Sequence, residues 1–249
     1  MRSPAAGSAA RGRSCPAIHV DQEDPRVPQP RRQARAVKTR DSLVEGAASV
    51  FADKGFDASI NDIVEASGIT KSSFYYHFAN KMEIAAAVVT EGLVLDEPDP
   101  DLLPRVQAVV DTSISLAVLL PEVPVVRAAS RLATQPDTPF YRKLWEGYIP
   151  YASGLLMEAR ERGELLPWVD PRAVARLWVG AWTGEDIMHR PNPNELPDAI
   201  ANINRTIVTM CATAETQRVL NLSVAHGRAL TAEHPKLLMA RAVFQAEAG

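Results

Sequence analysis

The chain has 249 residues, of which 46% are hydrophobic and 23% charged, and its net charge is −3. These proportions are typical of an ordinary soluble globular protein with enough residues to bury a sizeable core. No apolar run reaches the roughly 18 residues of a transmembrane helix. The first residues lack the apolar core of a secretory signal, so we expect a cytoplasmic protein with no membrane partner.

Cysteine placement argues against a disulfide or a metal site. Cys15 lies in a polar segment and Cys211 in an apolar helical run, and neither has a histidine or cysteine at ligand spacing. Reduced thiols in a cytosolic protein fit this pattern best. The sequence also has no glycine-rich phosphate loop, nucleophile elbow or cysteine–histidine dyad. We therefore expect no cofactor, no metal and no enzymatic activity.

The amino-terminal end is basic and the rest of the chain is acidic. Residues 1–40 hold nine arginines and lysines against three acidic residues, a net of +6 that leaves −9 for the remainder. Such a basic arm is an electrostatic footprint for nucleic-acid phosphate. Residues 1–35 are rich in Ala, Gly, Ser, Pro and Arg and are expected to be disordered when free. They are either a DNA-gripping arm or a mis-assigned start or solubility tail.

Residues 39–94 have the apolar spacing of four consecutive helices. Apolar residues recur at three- and four-residue steps until Gly55, which is expected to stop the first helix. Ser59 with Asp62 three residues later is a capping box that opens a short second helix. Gly68 then supplies a turn.

A third short helix is predicted over Lys71–Phe78, with Thr70 as its cap. Two short helices joined across a glycine turn make a helix-turn-helix. A fourth helix begins at Asn80 and Glu83, again a cap and its partner three residues on.

The third helix carries the recognition chemistry. Its first turn, which a helix-turn-helix points into the major groove, holds a lysine and two serines that can contact bases or phosphates. Two tyrosines and a histidine follow one turn later, where they meet phosphates. Phe74 and Phe78 fall four residues apart and are expected in the core. The residues expected to contact DNA are Lys38, Arg40, Ser59, Thr70, Lys71, Ser72, Ser73, Tyr75, Tyr76, His77 and Lys81.

A second, larger helical domain is expected after residue 94. The acidic, proline-rich stretch 95–101 is the candidate boundary. The expected organisation is a tail over 1–35, a helix-turn-helix domain over 36–94 and a ligand-binding and dimerisation domain over 95–249.

The larger domain is predicted to be purely helical, so the fold class is all-α with nine or ten helices in total. Pro121 and Pro124 should end one helix, and Pro150 should kink or divide another. Two long helices, Ala173–His189 and Asp198–Ala214, come near the end, and the second continues after a weak break into residues 217–232.

The run Phe56–Glu83 resembles the DNA-binding domain of the TetR family of repressors. The resemblance is carried by Gly68–Lys71, Tyr75–Phe78 and Asn80–Glu83. The later segments Arg131–Thr134 and Arg160–Pro167 resemble the γ-butyrolactone receptor branch of that family. The resemblance implies a homodimer on a near-palindromic double-stranded DNA operator.

The family's dimer surface lies on the last two long helices, whose apolar content exceeds what one helical stripe needs. Ligand binding in the larger domain would push the fourth helix and change the separation of the two recognition helices. Ser72 departs from the glycine common in the receptor branch, which leaves base preference at that position open.

Four tryptophans in an all-α body suit an internal pocket for a small apolar ligand, although each alone also fits a core role. The resemblance places a pocket tryptophan at Tyr148 and a polar pocket residue at Ala181. Both are departures, so a butyrolactone, butenolide, furan, antibiotic intermediate or no ligand at all stays open. The residues expected to line the pocket are Trp145, Tyr148, Trp178, Ala181, Trp182 and Thr183.

Two other functional hypotheses remain open. An orphan or pseudo-receptor would bind DNA without answering a lactone, and a small-molecule binding protein would carry a vestigial helix-turn-helix. An enzyme or metal site at Glu185, Asp186 and His189 is disfavoured, because adjacent helical residues diverge by about 100°. The leading hypothesis is a ligand-responsive transcriptional repressor of antibiotic or secondary-metabolite genes.

Overall fold

The computed structural model describes residues 30–92 and 104–233. Within these residues the fold is all-α, as the sequence predicts, with eleven α-helices, two 3-10 turns and one isolated bridge between Leu165 and Ala212. The described residues from Lys38 onward form one compact unit. The helices are α1 (Pro30–Lys54), α2 (Ile60–Ser67), α3 (Lys71–His77), α4 (Lys81–Gly92), α5 (Arg105–Glu122), α6 (Pro124–Thr134), α7 (Lys143–Glu161), α8 (Pro171–Met188), α9 (Leu196–Cys211), α10 (Ala214–Val219) and α11 (Val224–Thr231).

The first helix begins earlier than expected. Residues 1–35 were expected to lack helix, yet α1 starts at Pro30. Proline has no backbone N–H to lose in a first turn, and its fixed φ suits that position, so it can open a helix as well as interrupt one. The preceding residues and the candidate boundary 95–101 lie outside the described part of the chain, as does Cys15.

Local capping signals define the helix-turn-helix. Gly55 and Gly68 adopt φ values of +63° and +64°, which glycine tolerates without strain, and they stop α1 and α2. The backbone N–H of Asp62 donates to Ser59 Oγ, and the Asp62 carboxylate accepts from the Ser59 N–H, so the predicted capping box is confirmed. Thr70 caps α3 through the Ser73 N–H.

The core around the helix-turn-helix also contains residues from the larger half of the chain. Leu43, Phe51, Ile63 and Phe74 are fully buried, and they cluster with Ala128 and Leu132 of α6 and with Phe140. Helix α4 packs along α6 so closely that a Cβ added to Gly92 would lie 2.2 Å from the Val125 carbonyl oxygen. Helix α6 therefore belongs to the packing of both halves.

The larger half is built around α5, which packs against α7, α9 and α11. The two expectations about proline had different outcomes. Pro121 lies in the last turn of α5, which ends at Glu122 as expected, whereas Pro150 lies within α7 and does not divide it. Tertiary packing of α7 against α5 and α8 outweighs the local cost at Pro150.

The carboxy-terminal helices differ in one respect from the expectation. The predicted continuation over 217–232 is two helices, α10 and α11, separated by an extended segment at Leu220–Ser223. Ser223 caps α11 with its hydroxyl, which accepts from the His226 N–H. This added break accounts for the eleventh helix within the described ranges.

Much of the apolar content assigned to the dimer surface is instead internal. Trp178, Ile200 and Val208 are buried in the chain's own core. Leu177 and Met210 are 49% and 60% exposed, and they remain available on α8 and α9.

No single helix within residues 30–92 and 104–233 is long and apolar enough to cross a membrane. Helices α5 and α6 reach the required length and hydropathy only together, across a bend of 106°, and most of their residues are buried inside the protein.

Candidate nucleic-acid interface and ligand cavity

Helix α3 presents one buried side and one exposed side. Phe74 and Phe78 point into the core, as predicted. Lys71 and Ser72 are exposed, and Tyr75 and Tyr76 are 50% and 80% exposed. Ser73 and His77 are partly covered, and α3 contains no acidic residue. The exposed side is therefore a cationic and phenolic surface suited to phosphate and base edges.

Side-chain bonds within the motif hold the start of α3. Lys71 Nζ donates to Asn61 Oδ1 at 3.2 Å, and the hydroxyls of Thr70 and Ser72 lie 3.1 Å apart. Ser59 is occupied by its capping box. Ser59 and Asn61 lie at the start of α2, and Thr70, Lys71 and Ser72 lie at the start of α3; the contact of the predicted residues with DNA stays a prediction.

Two of the expected phosphate contacts already have intramolecular partners. Lys81 Nζ donates to the Phe56 carbonyl at 2.6 Å and lies 4.3 Å from the centre of the Phe56 ring. Arg40 lies 3.4 Å from Glu91 and 5.4 Å from the Phe78 ring centre, whereas Lys38 is exposed on α1. The first two residues thus link helices inside the domain.

A cavity of about 700 Å³ lies in the larger half, between α4, α5, α6, α7 and α8. Sixteen residues line it, and none of them is charged: Gly92, Val109, Thr112, Ser113, Leu116, Leu120, Val126, Ser130, Leu144, Tyr148, Tyr151, Ala152, Trp178, Val179, Trp182 and Thr183.

Four of the six predicted pocket residues line this cavity, namely Tyr148, Trp178, Trp182 and Thr183. Trp145 stands behind the wall, where its Nε1 donates to Thr183 Oγ1 at 3.0 Å. Ala181 does not line the cavity. It is about 100° away from Trp182 around α8, on the side turned from the cavity centre.

The pocket residues predicted from the sequence include none from α4, α5 or α6, although all three helices line the cavity. Thr112 and Ser113 interrupt the apolar face of α5, and that interruption was a usable signal. Gly92 and Ser130 gave no signal, because their place in the wall depends on how α4 and α6 pack.

Most hydroxyl donors of the wall are used inside the protein. The Thr112 hydroxyl donates to the Ala108 carbonyl, so the Tyr151 hydroxyl, 3.1 Å away, donates to Thr112. Thr183 donates to the Val179 carbonyl at 2.7 Å. The cavity surface is consequently suited to shape and apolar contact more than to charge.

The side-chain amide of Asn204, beside the cavity, uses its oxygen but not its nitrogen in hydrogen bonds within the described residues. Ser113 Oγ and Trp178 Nε1 donate to Asn204 Oδ1 at 2.9 and 2.8 Å. Asn204 is fully buried, and its Nδ2 has no hydrogen-bond partner within the described residues. Unpaired buried donors are rare and costly.

Glu185, Asp186 and His189 lie at the end of α8 and in the residue after it. No group of three or more metal-ligating side chains occurs within residues 30–92 and 104–233. Asp186 is 3% exposed rather than solvated, and it accepts from Ser130 Oγ at 2.7 Å. Burial raises the pKa of Asp186, and the Ser130 hydroxyl and Arg190 oppose that rise.

A family model matches the part of the chain that contains the helix-turn-helix. Residues 43–88 match the model of bacterial regulatory proteins of the tetR family. The full-length structure of TylP, a TetR regulator from Streptomyces fradiae, is 32% identical with a TM-score of 0.66, over 81% of this chain and 92% of that one. The chain belongs to the TetR family of regulators.

Two further proteins are similar to this TetR-family chain. The A-factor receptor protein of Streptomyces griseus is 35% identical over 154 residues, 61% of this chain and 55% of that protein. The chain thus spans about half the length of this curated relative. A γ-butyrolactone receptor described as ArpA-like is 22% identical with a TM-score of 0.65, over 78% of this chain and 98% of that one, a likeness of fold alone.

Proposed function

We propose that this TetR-family protein is a cytoplasmic, homodimeric transcriptional repressor that releases its operator when a small neutral molecule enters the cavity. The observation that carries the proposal is the pairing of an exposed, acid-free α3 with an uncharged cavity whose wall includes the last residue of α4. The regulator relatives support a regulatory protein rather than an enzyme.

The capped motif supports DNA binding. Ser59 caps the start of α2, Thr70 caps the start of α3, and Phe74 anchors α3 in the core, so the exposed lysine and tyrosines are held in position without DNA. One helix-turn-helix reads few base pairs, so a two-fold dimer on a near-palindromic site is needed for specific affinity. Leu177 and Met210 on α8 and α9 offer exposed apolar area for that dimer.

The cavity wall indicates the chemistry of the ligand. No lining residue is charged, so an anionic ligand would lose its hydration without gaining a counter-charge. A neutral, mostly apolar molecule of butyrolactone, butenolide or furan type fits this uncharged wall, and the A-factor receptor relative supports that class.

Helix α4 offers the route from ligand to DNA. Gly92 ends α4 in the cavity wall, and the other end of α4 begins beside α3. A ligand that fits better when α4 is displaced would shift the spacing of the two recognition helices.

The proposal is tested by DNA selection and variant binding. The full-length protein should select a near-palindromic duplex from a random pool, and its affinity should fall steeply with salt. Lys71→Ala with Tyr75→Ala should weaken operator binding by roughly a hundredfold or more, since each lost contact costs about 1–3 kcal/mol.

The matched control is Lys143→Ala with Tyr141→Ala, which removes the same residue types from an exposed region near the start of α7. This pair should bind the operator like the unaltered protein. Equal binding by both double variants would refute the role of α3.

An orphan regulator is the second candidate, and the departure at Tyr148, which lines the cavity, favours keeping it. Calorimetry with a panel of lactones, butenolides and furans separates the two. Selection of an operator together with no heat from any member of the panel identifies the orphan. A saturable response identifies the receptor.

A further inference from the structure

A second, smaller cavity lies where the DNA-binding part meets the larger half. It has a volume of about 360 Å³ and is bounded by Ala52 of α1 and by residues of α5, α6 and the segment after α8. Its polar wall differs from that of the first cavity, because it includes Arg127, Arg131, Arg190, His189 and Asp186.

Three guanidinium groups in this wall share one lining carboxylate, and the charges of Arg190 and Arg131 both act on it. Asp186 is the one acidic residue that lines the cavity, and Arg190 lies 3.5 Å from it. His189 is paired with Glu185 at 3.2 Å. In the described part of the chain, neither Arg127 nor Arg131 forms an ion pair.

Partly buried cations of like sign repel one another and are screened less than surface charges. The three arginines are all partly covered. Arg127 donates to the Pro121 carbonyl at 3.1 Å, and Arg190 donates to Thr134 Oγ1, so both are held in position. Guanidinium N–H groups that protein acceptors leave unused can donate to the oxygens of an anion.

We propose that this second cavity binds a small anion, carrying a phosphate or carboxylate group, through Arg131 together with Arg127 and Arg190. Guanidinium groups present paired N–H donors that match the oxygens of both anions. The first cavity has no charged lining and so takes a different class of molecule.

The position of the site ties the anion to the junction between the two halves. One turn after Arg131, Gln135 Oε1 accepts from the Phe56 N–H at 2.7 Å. An anion held between α6 and α1 would therefore stabilise the packing of the helix-turn-helix on α6. The effect on operator affinity rests on the proposed function, whereas anion binding itself does not.

The test is calorimetry of the full-length protein in a chloride buffer of constant ionic strength, with inorganic phosphate and succinate as separate probes. We expect saturable binding of one anion per chain, and the probe that binds more tightly identifies the head group. Arg131→Gln should weaken that binding by about tenfold or more. Absence of saturable binding for both probes would overturn the proposal.

Three controls keep the result interpretable. Arg162→Gln removes a guanidinium from an exposed position at the end of α7 and should leave anion binding unchanged. Arg131→Lys keeps the charge and should retain part of the affinity, and thermal melting checks that each variant is folded.

Phosphate could instead bind the DNA-contacting surface. Lys71→Ala with Tyr75→Ala should therefore keep full anion affinity, and loss of binding in that variant would refute the second cavity as the site. Because this measurement contains no DNA, failure of the proposed repressor function would leave its outcome unchanged.

Discussion

The helix-turn-helix and the uncharged cavity are specified by the sequence in different ways. Residues three apart define the helix-turn-helix, such as Ser59 with Asp62 and Thr70 with Ser73. The cavity is formed by five helices that span residues 81–188, and its wall depends on their packing. Hydrogen bonds between residues three apart can be predicted from the sequence. The cavity cannot, because its lining side chains are far apart in the sequence and meet only in the folded chain.

The largest expected effect comes from filling the cavity without touching the DNA-binding motif. Ala152 is 5% exposed and lines the cavity, so Ala152→Phe should occupy ligand volume. Ligand affinity should fall roughly a hundredfold or more, since even a methylene misfit costs 10–200-fold. Operator binding without ligand should be unchanged, as measured by fluorescence anisotropy.

Ala181→Phe supplies the contrast on α8. Ala181 does not line the cavity, so ligand affinity should remain within about twofold of the unaltered protein, within ordinary variation for a residue outside the site. A large loss of ligand affinity in Ala181→Phe would show that Ala181 does line the cavity and that the lining residues given above are incomplete.

A second prediction concerns the close contact of α4 with α6. In Gly92→Ala the new Cβ would lie 2.2 Å from the Val125 carbonyl oxygen and 2.4 Å from Ala129 Cβ. We expect the free energy of unfolding to fall by about 1–3 kcal/mol, the usual cost of overpacking. Urea titration followed by circular dichroism measures the change.

Gly154→Ala is the matched control, because no atom lies within 4 Å of a Cβ added there and the residue is exposed within α7. Alanine is the better helix former, so this variant should gain up to about 1 kcal/mol. If both variants lost stability alike, the tight α4–α6 contact would not be the cause.

The smallest effect is expected at the capping box. Ser59→Ala removes the hydroxyl that accepts from Asp62, and we expect a loss of about 1 kcal/mol in the free energy of unfolding. Ser49→Ala, on an exposed part of α1, should change it little.

The capping box also has a pH signature. Hydrogen bonds from Lys54 and Ser59 lower the pKa of Asp62 below its ordinary value of 3.8. A lowered carboxyl pKa stabilises the fold above the unfolded value and loses that contribution as the pH falls through the folded value. The stability gap between the unaltered protein and Ser59→Ala should therefore narrow below pH 3.8. A gap that widens in acid would contradict this account.

The sequence predicted the all-α class and the local stops, caps and core aromatics of the helix-turn-helix, because each is fixed by a few neighbouring residues. It misjudged Pro30 and Pro150, whose effects depend on position within a turn and on tertiary packing. Two of the six expected pocket residues, Trp145 and Ala181, do not line the cavity. A spacing within α7 or α8 gives a helical face but does not say which neighbour that face meets.

Packing of α6 into the core of the DNA-binding part also limits how the chain can be divided. A fragment that stops at residue 92 would keep Phe51 and Phe74 but lose Ala128, Leu132 and Phe140, which cover them. Such a fragment would carry an uncovered apolar patch and tend to aggregate. Chimeras that exchange the DNA-binding part between regulators of this kind should therefore transfer α6 together with that part. Otherwise the residues at the contact between α6 and the DNA-binding part must be redesigned.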